Sequence, residues 1–414
     1  MYGTILYGTR DVRFEEREDP QILKPTDAIL RLPVMVVLLG AGILIGPSVT
    51  DLVENPVDGL GAQLVFTLGV SLILFHGGLG ISLRVISRTA VGLGLLVLPG
   101  ILITALVVAL VAMPVFSLSF SVALLVGATL AATDPAILIP LFDRLRLRPK
   151  VAQTVIAESA GNDPTGTVLA LTVAGVVEAG HVGATEPLQD FVQNLALGAV
   201  LGIGGGFLLA LMLSTRTVGI WRESPATAIL AVVALTYFTT DELGGSAYLA
   251  AFVMGLIVGN MEELGLGHHA DHRRQLESFM TQTSEIAVLA VFVTLGINLP
   301  LAALWDNLWG GLVVMVVFLF VARPLTVLAC LLPDRRGQWT REELVFLSWC
   351  RETGVVPAAV AGVLLARDVE GAEIVAAMVA LAVVTTLLVQ ATTAGALARR
   401  LGLVELPEYV GAGR

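Results

Sequence analysis

The sequence has few of the residues from which metal sites and disulfide frameworks are built. Only two cysteines and five histidines occur among 414 residues, and their spacing fits neither a zinc site nor a disulfide pattern. Charged residues make up 14% of the chain and hydrophobic residues 56%, whereas about 25% of the residues of a soluble domain are charged. The N-terminus lacks the apolar core of a cleavable signal peptide. We therefore expect one integral membrane domain with no resident cofactor and no nucleic-acid partner.

Apolar runs follow one another from residue 32 onward, each near the roughly 20 residues that a helix needs to cross a bilayer. We predict twelve spans, at about 32–49, 60–78, 89–115, 118–141, 151–177, 189–213, 225–240, 244–260, 277–298, 302–332, 343–366 and 372–397. The expected fold is an all-α polytopic membrane protein of about 12 transmembrane helices. The membrane domain would cover residues 32–398, and a short tail would cover 399–414.

Basic residues concentrate in every second loop. The loops after even-numbered spans, together with the tail, contain sixteen Lys and Arg residues, and the loops after odd-numbered spans contain one, Arg367. Such residues mark the cytoplasmic side of membrane proteins. The alternation supports the number of spans and predicts a multi-pass protein of the cell (plasma) membrane with both termini in the cytoplasm.

Span five, residues 151–177, contains a cluster of two acids and three further polar side chains where hydrocarbon is expected. They are Glu158, Ser159, Asn162, Asp163 and Thr165. In helical spacing Ser159 shares a face with Asp163, and Glu158 with Asn162. Acids within a membrane segment are costly and usually functional. Because desolvation favours the protonated carboxyl, protons and a hard cation can compete for Asp163.

Two other spans combine proline with charged residues, at Thr133-Asp134-Pro135 in span four and at Arg351-Glu352-Thr353-Gly354 ahead of Pro357 in span eleven. Proline removes a backbone donor and breaks a helix. The two spans run in opposite directions, as in inverted repeats whose two discontinuous helices cross at an ion site. Asp134 and Arg351 would offset the helix-end charges. An ordinary kink and a peripheral Arg–Glu pair are the alternatives.

Three further polar residues have more than one interpretation. Arg323, in span ten, requires either a carboxylate partner, for which Glu158 is the candidate, or access to a lipid headgroup. His76, in span two, is either an accessory site residue or, more often for a lone histidine, a packing residue. Glu285, in span nine, is expected to be a buried acid that serves coupling or packing.

Together, Thr133-Asp134-Pro135, Glu158-Ser159-x-x-Asn162-Asp163 and the membrane arginines resemble the sodium/proton antiporters of the monovalent cation:proton antiporter superfamily. The closer resemblance is to the Asn-Asp branch, which comprises NhaP-type and mammalian sodium/proton exchangers, and it covers about residues 32–400.

The resemblance implies core and dimerisation helices, a homodimer, and exchange of Na⁺ or another monovalent cation for H⁺. Asp163 would carry the ion and the proton, and Ser159, Asp134 and the Thr133 carbonyl would complete the sodium shell. Glu158 and Arg323 would form a structural pair that contacts Asn162.

Three features depart from that family pattern. His76 stands where the family commonly has a glutamate, and Glu352 follows Arg351 where a glycine is usual. Residues 1–31 resemble the opening of medium-chain zinc alcohol dehydrogenases, through Asp11-Val-Arg-Phe-Glu-Glu16 and Lys24-Pro-Thr-Asp-Ala28, and occupy the place of a further helix. The zinc-ligand segment does not follow, so we interpret this stretch as a non-membrane fusion or start-site remnant.

Two other functions fit a polytopic chain with membrane acids. A monovalent cation channel would pass cations without a proton gradient. An intramembrane aspartyl protease would use Asp134 and Asp163, but the Gly-x-Gly-Asp type of sequence found in such proteases is absent. We therefore expect a secondary antiporter and not an enzyme. The resemblance to the Asn-Asp branch implies that one proton is exchanged per cation.

Overall fold

The computed structural model describes most of the chain between residues 34 and 405. The described residues are 34–53, 59–81, 83–133, 142, 145–180, 186–214, 225–266 and 270–405. The predicted remnant at 1–31, residues 406–414 of the predicted tail, and Asp134 lie outside them. The domain boundaries therefore stay predictions.

The described residues form helices. In chain order these are α1 (Val34–Ile45), α2 (Gly59–Leu79), α3 (Leu83–Val97), α4 (Pro99–Phe116), α5 (Phe120–Ala131), α6 (Pro149–Ala179), α7 (Glu186–Leu213), α8 (Pro225–Glu242), α9 (Ala247–Gly259), α10 (Ala270–Ile297), α11 (Leu301–Asp306), α12 (Leu308–Val317), α13 (Arg323–Leu331), α14 (Arg341–Trp349), α15 (Val355–Ala366), α16 (Ala372–Thr385) and α17 (Thr392–Arg400). Two π-helical segments, Phe318–Ala322 and Thr386–Ala391, join α12 to α13 and α16 to α17.

A helix occupies each of the twelve predicted spans, and the prediction of an all-α polytopic membrane protein is confirmed. Within the described residues, five apolar helical stretches are 22 to 29 residues long, enough to cross a membrane. Two of the shorter spans are interrupted. Span four has helix α5 over only 12 residues, and span eleven is divided into α14 and α15.

Small residues let the helices approach closely. A Cβ on Gly127 of α5 would collide with the backbone carbonyl of Ala105 in α4, and one on Gly255 of α9 with that of Phe75 in α2. Backbone contact through glycine is typical of membrane helix packing. Helix α6, which contains the polar cluster of span five, packs against α3, α5, α7, α9 and α15. The cluster is therefore held inside the bundle.

Candidate functional site

The chain between α14 and α15 is extended. Helix α14 ends at Trp349, residues 350–354 are not helical, and α15 begins at Val355. Side chains from the second π segment bind the freed backbone groups: Gln390 Nε2 donates to the Trp349 carbonyl at 2.6 Å, and the Thr353 N–H donates to Thr386 Oγ1 at 3.1 Å. Non-helical backbone at membrane depth requires such partners.

The end of α5 is the second interruption. The helix stops at Ala131, and Ala132 is extended. The residue four positions after Ala131 is Pro135, which has no N–H for the Ala131 carbonyl. Arg351 Nη2 supplies the missing donor, at 2.6 Å from the Ala131 oxygen and 3.2 Å from the Leu130 oxygen. The two interruptions therefore meet, and Arg351 neutralises the negative C-terminal end of α5.

Arg323 pairs with Glu158, which is the partner predicted from the sequence. Arg323 Nη2 lies 2.9 Å from Glu158 Oε2, and Nη1 donates to Oε1. The Arg323 side chain is 1% exposed and that of Glu158 is 3% exposed. The pair is therefore bidentate and buried, and the alternative in which Arg323 reaches a headgroup is wrong for this structure.

Arg323 has a second role that the sequence did not indicate. Its Nε donates to the Leu347 carbonyl at 2.9 Å and its Nη2 to the Cys350 carbonyl at 3.2 Å. These carbonyls belong to the C-terminal end of α14, where helix N–H donors run out. The guanidinium thus holds α14 to the Glu158 helix and also offsets the helix-end charge.

The polar side chains of α6 converge on Thr133, just beyond the end of α5. The hydroxyl groups of Thr133 and Ser159 are 3.0 Å apart, and Asn162 Nδ2 donates to Thr133 Oγ1 at 3.5 Å and to Glu158 Oε1 at 3.4 Å. All four residues are buried. The Asn162 Oδ1 atom has no hydrogen-bond partner in the described part of the chain, which leaves an oxygen ligand available.

Asp163 faces a cavity of about 340 Å³ that is also lined by His76, Gly80, Ile81 and Ser284. Asp163 as a whole is partly buried. Asp163 follows Ser159 by one helical turn, and the Ser159 hydroxyl is 3.0 Å from that of Thr133. Carboxylate and hydroxyl oxygens are the ligands that alkali and other hard cations prefer.

His76 lies on the wall of the Asp163 cavity, and its Nε2 atom is 3.5 Å from Thr281 Oγ1 on α10. Glu277 and Glu285, one turn to either side of Thr281, interact electrostatically with His76. Glu285 is exposed on this chain, so the prediction that it is a buried acid is wrong. Glu277, Thr281 and Glu285 are four residues apart and therefore share one face of α10. That face points outward, which explains the exposure of Glu285.

Thr104, which was not predicted from the sequence, and Glu352, which was predicted only as part of the span-eleven interruption, belong to this region. Thr104 Oγ1 contacts both Arg351 Nη1, at 3.3 Å, and Thr326 Oγ1, at 2.9 Å. Glu352 is 2% exposed within the second interruption. A polar residue in an apolar run is the available signal for Gln390 and Thr104, but threonine is too common in membrane helices for that signal to select it.

Two helix interruptions that meet beside buried acids define the class: a polytopic membrane protein whose site lies where discontinuous helices cross, as in secondary transporters. The comparisons with known proteins identify the family. The profile described as "Sodium/hydrogen exchanger, transmembrane" matches residues 26–400. The chain belongs to this sodium/hydrogen exchanger family.

Several characterised proteins are similar to this chain. The K(+)/H(+) antiporter NhaP2 of Shewanella sp. (strain MR-4) is 30% identical over 398 residues, which cover 93% of this chain and 65% of that protein. Na(+)/H(+) antiporter 1 of Methanocaldococcus jannaschii is 30% identical over 342 residues, with 80% of this chain and 77% of that protein covered. The chain thus spans about two thirds of the length of its NhaP2 relatives.

The fold is also that of a solved structure. The sodium proton antiporter MjNhaP1 from Methanocaldococcus jannaschii at pH 8 superimposes with a TM-score of 0.76 and 27% sequence identity, over 91% of this chain and 94% of that one. The family match begins at residue 26, within the stretch predicted to be an N-terminal remnant. That resemblance and its boundary stay predictions.

Proposed function

We propose that this chain exchanges a monovalent cation for a proton across the membrane, with Asp163 as the group that both ions occupy. The observation that carries the proposal is the position of Asp163, on the wall of a cavity and one helical turn from Ser159 in the polar cluster between the two interruptions. A carboxylate that must hold either a proton or a cation before the site changes sides couples the two fluxes.

The remaining side chains divide into ligands and supports. Ser159, Thr133 and Asn162 would supply oxygen ligands beside Asp163, and Asp134, predicted from the sequence, would join them. Glu158 and Arg323 would fix the geometry as a neutral pair, since each is buried and satisfied by the other. The site requires no resident cofactor and no enzymatic step.

The cavity also suggests which side the site faces. It is lined by Gly80 and Ile81, at the end of α2 that leads into the start of α3, where Arg84 and Arg88 lie in the sequence. Basic loops mark the cytoplasm, so we assign the described conformation to the inward-facing state, with both termini cytoplasmic. We further propose a homodimer in the cell membrane and one proton per cation.

Transport in everted membrane vesicles tests the function. With a pH-sensitive dye, addition of Na⁺, K⁺ or Li⁺ should dequench fluorescence in vesicles that contain the wild-type chain, and Asp163→Asn should abolish the response. Asp306→Asn is the matched control, since Asp306 is exposed at the end of α11, and it should retain the response.

Two results would overturn the assignment. Full exchange by the Asp163→Asn variant would remove Asp163 from the mechanism. Cation flux that persists at zero proton gradient and carries net current would instead identify a channel. The relatives are named as Na⁺/H⁺ and K⁺/H⁺ antiporters, so the order of response among the three cations determines the substrate.

A further inference from the structure

A groove unrelated to the ion site runs along the surface formed by the last helices. Its volume is about 840 Å³. The first π segment and α13 form one wall, and α14 and α17 form the other walls. The lining is mostly apolar and includes Leu328, Val345 and Leu397. Because these helices form part of the membrane domain, an apolar groove on their outer surface faces lipid.

Aromatic side chains close the inner end of the groove. Trp349 Nε1 donates to Thr393 Oγ1 at 2.8 Å, which joins the end of α14 to the start of α17. The ring of Phe320 lies against that of Trp349, with centroids 5.7 Å apart. The groove therefore has a fixed inner end rather than continuing across the bundle.

Two arginines flank the other end. Arg341 is the first residue of α14 and Arg400 is the last of α17, and both line the groove. At 1.5 Å per helical residue, each lies roughly 10–12 Å from the Trp349–Thr393 contact. Both belong to segments that the distribution of basic residues assigns to the cytoplasmic side.

Within the described part of the chain, neither the Arg341 nor the Arg400 guanidinium forms an ion pair. Glu342, an exposed acid, interacts electrostatically with Arg341 and also with Arg148, and Lys150 is paired with Glu343 at 2.7 Å. Among the described residues that line the groove, Arg341 and Arg400 are the only charged ones. The open end of the groove therefore presents positive charge.

We propose that this groove binds one anionic phospholipid of the cytoplasmic leaflet. An acyl chain would lie between α13, α14 and α17, with its end against Trp349, and the phosphate group would lie between Arg341 and Arg400. Guanidinium groups bind phosphate through paired N–H donors. The cytoplasmic leaflet contains anionic lipids, whose headgroups attract basic residues. A zwitterionic lipid offers the same acyl chain with no net charge for the two arginines.

Native mass spectrometry of the full chain in detergent tests the proposal. Phosphatidylglycerol and phosphatidylcholine with identical acyl chains are titrated separately. Each basic residue near the membrane surface contributes about 1 kcal/mol to binding of an anionic lipid, and about 1.4 kcal/mol corresponds to a tenfold change in affinity. The Arg341→Gln/Arg400→Gln variant should therefore bind phosphatidylglycerol roughly thirtyfold more weakly than the wild type. Phosphatidylcholine binding should be weak in both proteins.

Two further variants separate this site from general attraction to a basic surface. Arg335→Gln/Arg336→Gln removes two exposed charges in the same loop region that do not line the groove, and it should retain wild-type binding. Ala396→Trp fills the groove without a change of charge, and it should also lose phosphatidylglycerol.

Any of three results would overturn the proposal. Equal loss in the Arg335/Arg336 control would show attraction without a site, and full binding by the Ala396→Trp variant would exclude the groove. The third result combines two observations: phosphatidylglycerol binding does not saturate as the lipid is added, and the Ala396→Trp variant changes from dimer to monomer. The occupant of the groove would then be a second copy of the chain, and the lipid assignment would be wrong.

Discussion

Breaking the Glu158–Arg323 pair should destabilise the protein more than removing any exposed ion pair. Neither side chain is more than 3% exposed, so a single substitution leaves the remaining charge buried without its partner. Loss of one member of a buried pair typically costs about 3–5 kcal/mol. Arg323→Gln should lie near the upper limit, because it also leaves the carbonyls of Leu347 and Cys350 without donors.

A double-mutant cycle isolates the pair itself. Glu158→Gln/Arg323→Gln removes both charges, so it should lose less stability than the sum of the two single variants, with a coupling free energy of about 3 kcal/mol. The measurement is reversible unfolding in mixed micelles, with SDS as the denaturant and tryptophan fluorescence as the signal. Lys150→Met is the comparison at a less buried pair: the lysine side chain is 36% exposed and that of Glu343, 2.7 Å away, is 6% exposed. Glu343 also accepts the Thr340 N–H, so the loss of Lys150 should cost less than the loss of Arg323.

The cycle can contradict the structure in a specific way. If the losses of the two single variants were additive in the double variant, the two side chains would not interact in the folded protein. If Lys150→Met were as damaging as Arg323→Gln, burial would not determine the loss of stability.

Two further substitutions test the crossing and the packing. Arg351→Gln should destabilise by about 1–3 kcal/mol in the same unfolding assay, since the Leu130 and Ala131 carbonyls lose their donor; an unchanged unfolding free energy would mean that other groups satisfy them. Gly127→Val should destabilise by at least about 1–3 kcal/mol because its side chain meets the Ala105 carbonyl. The matched Gly204→Val variant has open space at Cβ and should unfold like the wild type, and equal losses in the two variants would refute this packing.

Much of the site was predictable because it depends on local spacing and charge. Residues four apart on α6 do share faces, and the only carboxylate proposed for Arg323 is the one it binds. Proline at residue 135 likewise indicated where α5 would have to stop. These inferences need only helical periodicity and the cost of an unpaired charge in a membrane.

The rest depends on how helices rotate against one another. The π segment before Arg323 changes the direction in which that side chain points, which brings it onto the end of α14 as well as onto Glu158. Sequence periodicity assumes a regular helix and misses such a rotation. The same limit explains Glu285: its position in an apolar run suggested burial, yet the face of α10 that it shares with Thr281 is turned outward.

The groove between α13, α14 and α17 was not predictable at all. Its charged end brings together Arg341 and Arg400, which are 59 positions apart in the sequence and are aligned by the packing of α14 against α17, including the Trp349–Thr393 hydrogen bond.

The central claim is that a proton and a cation compete for Asp163, and proton release on cation binding tests it most directly. Purified protein in weakly buffered detergent solution, at a pH where transport is active, should release protons when Na⁺ or K⁺ is added. Asp163→Asn should release none, while Asp306→Asn should behave as the wild type. Equal proton release from the Asp163→Asn variant would contradict the account.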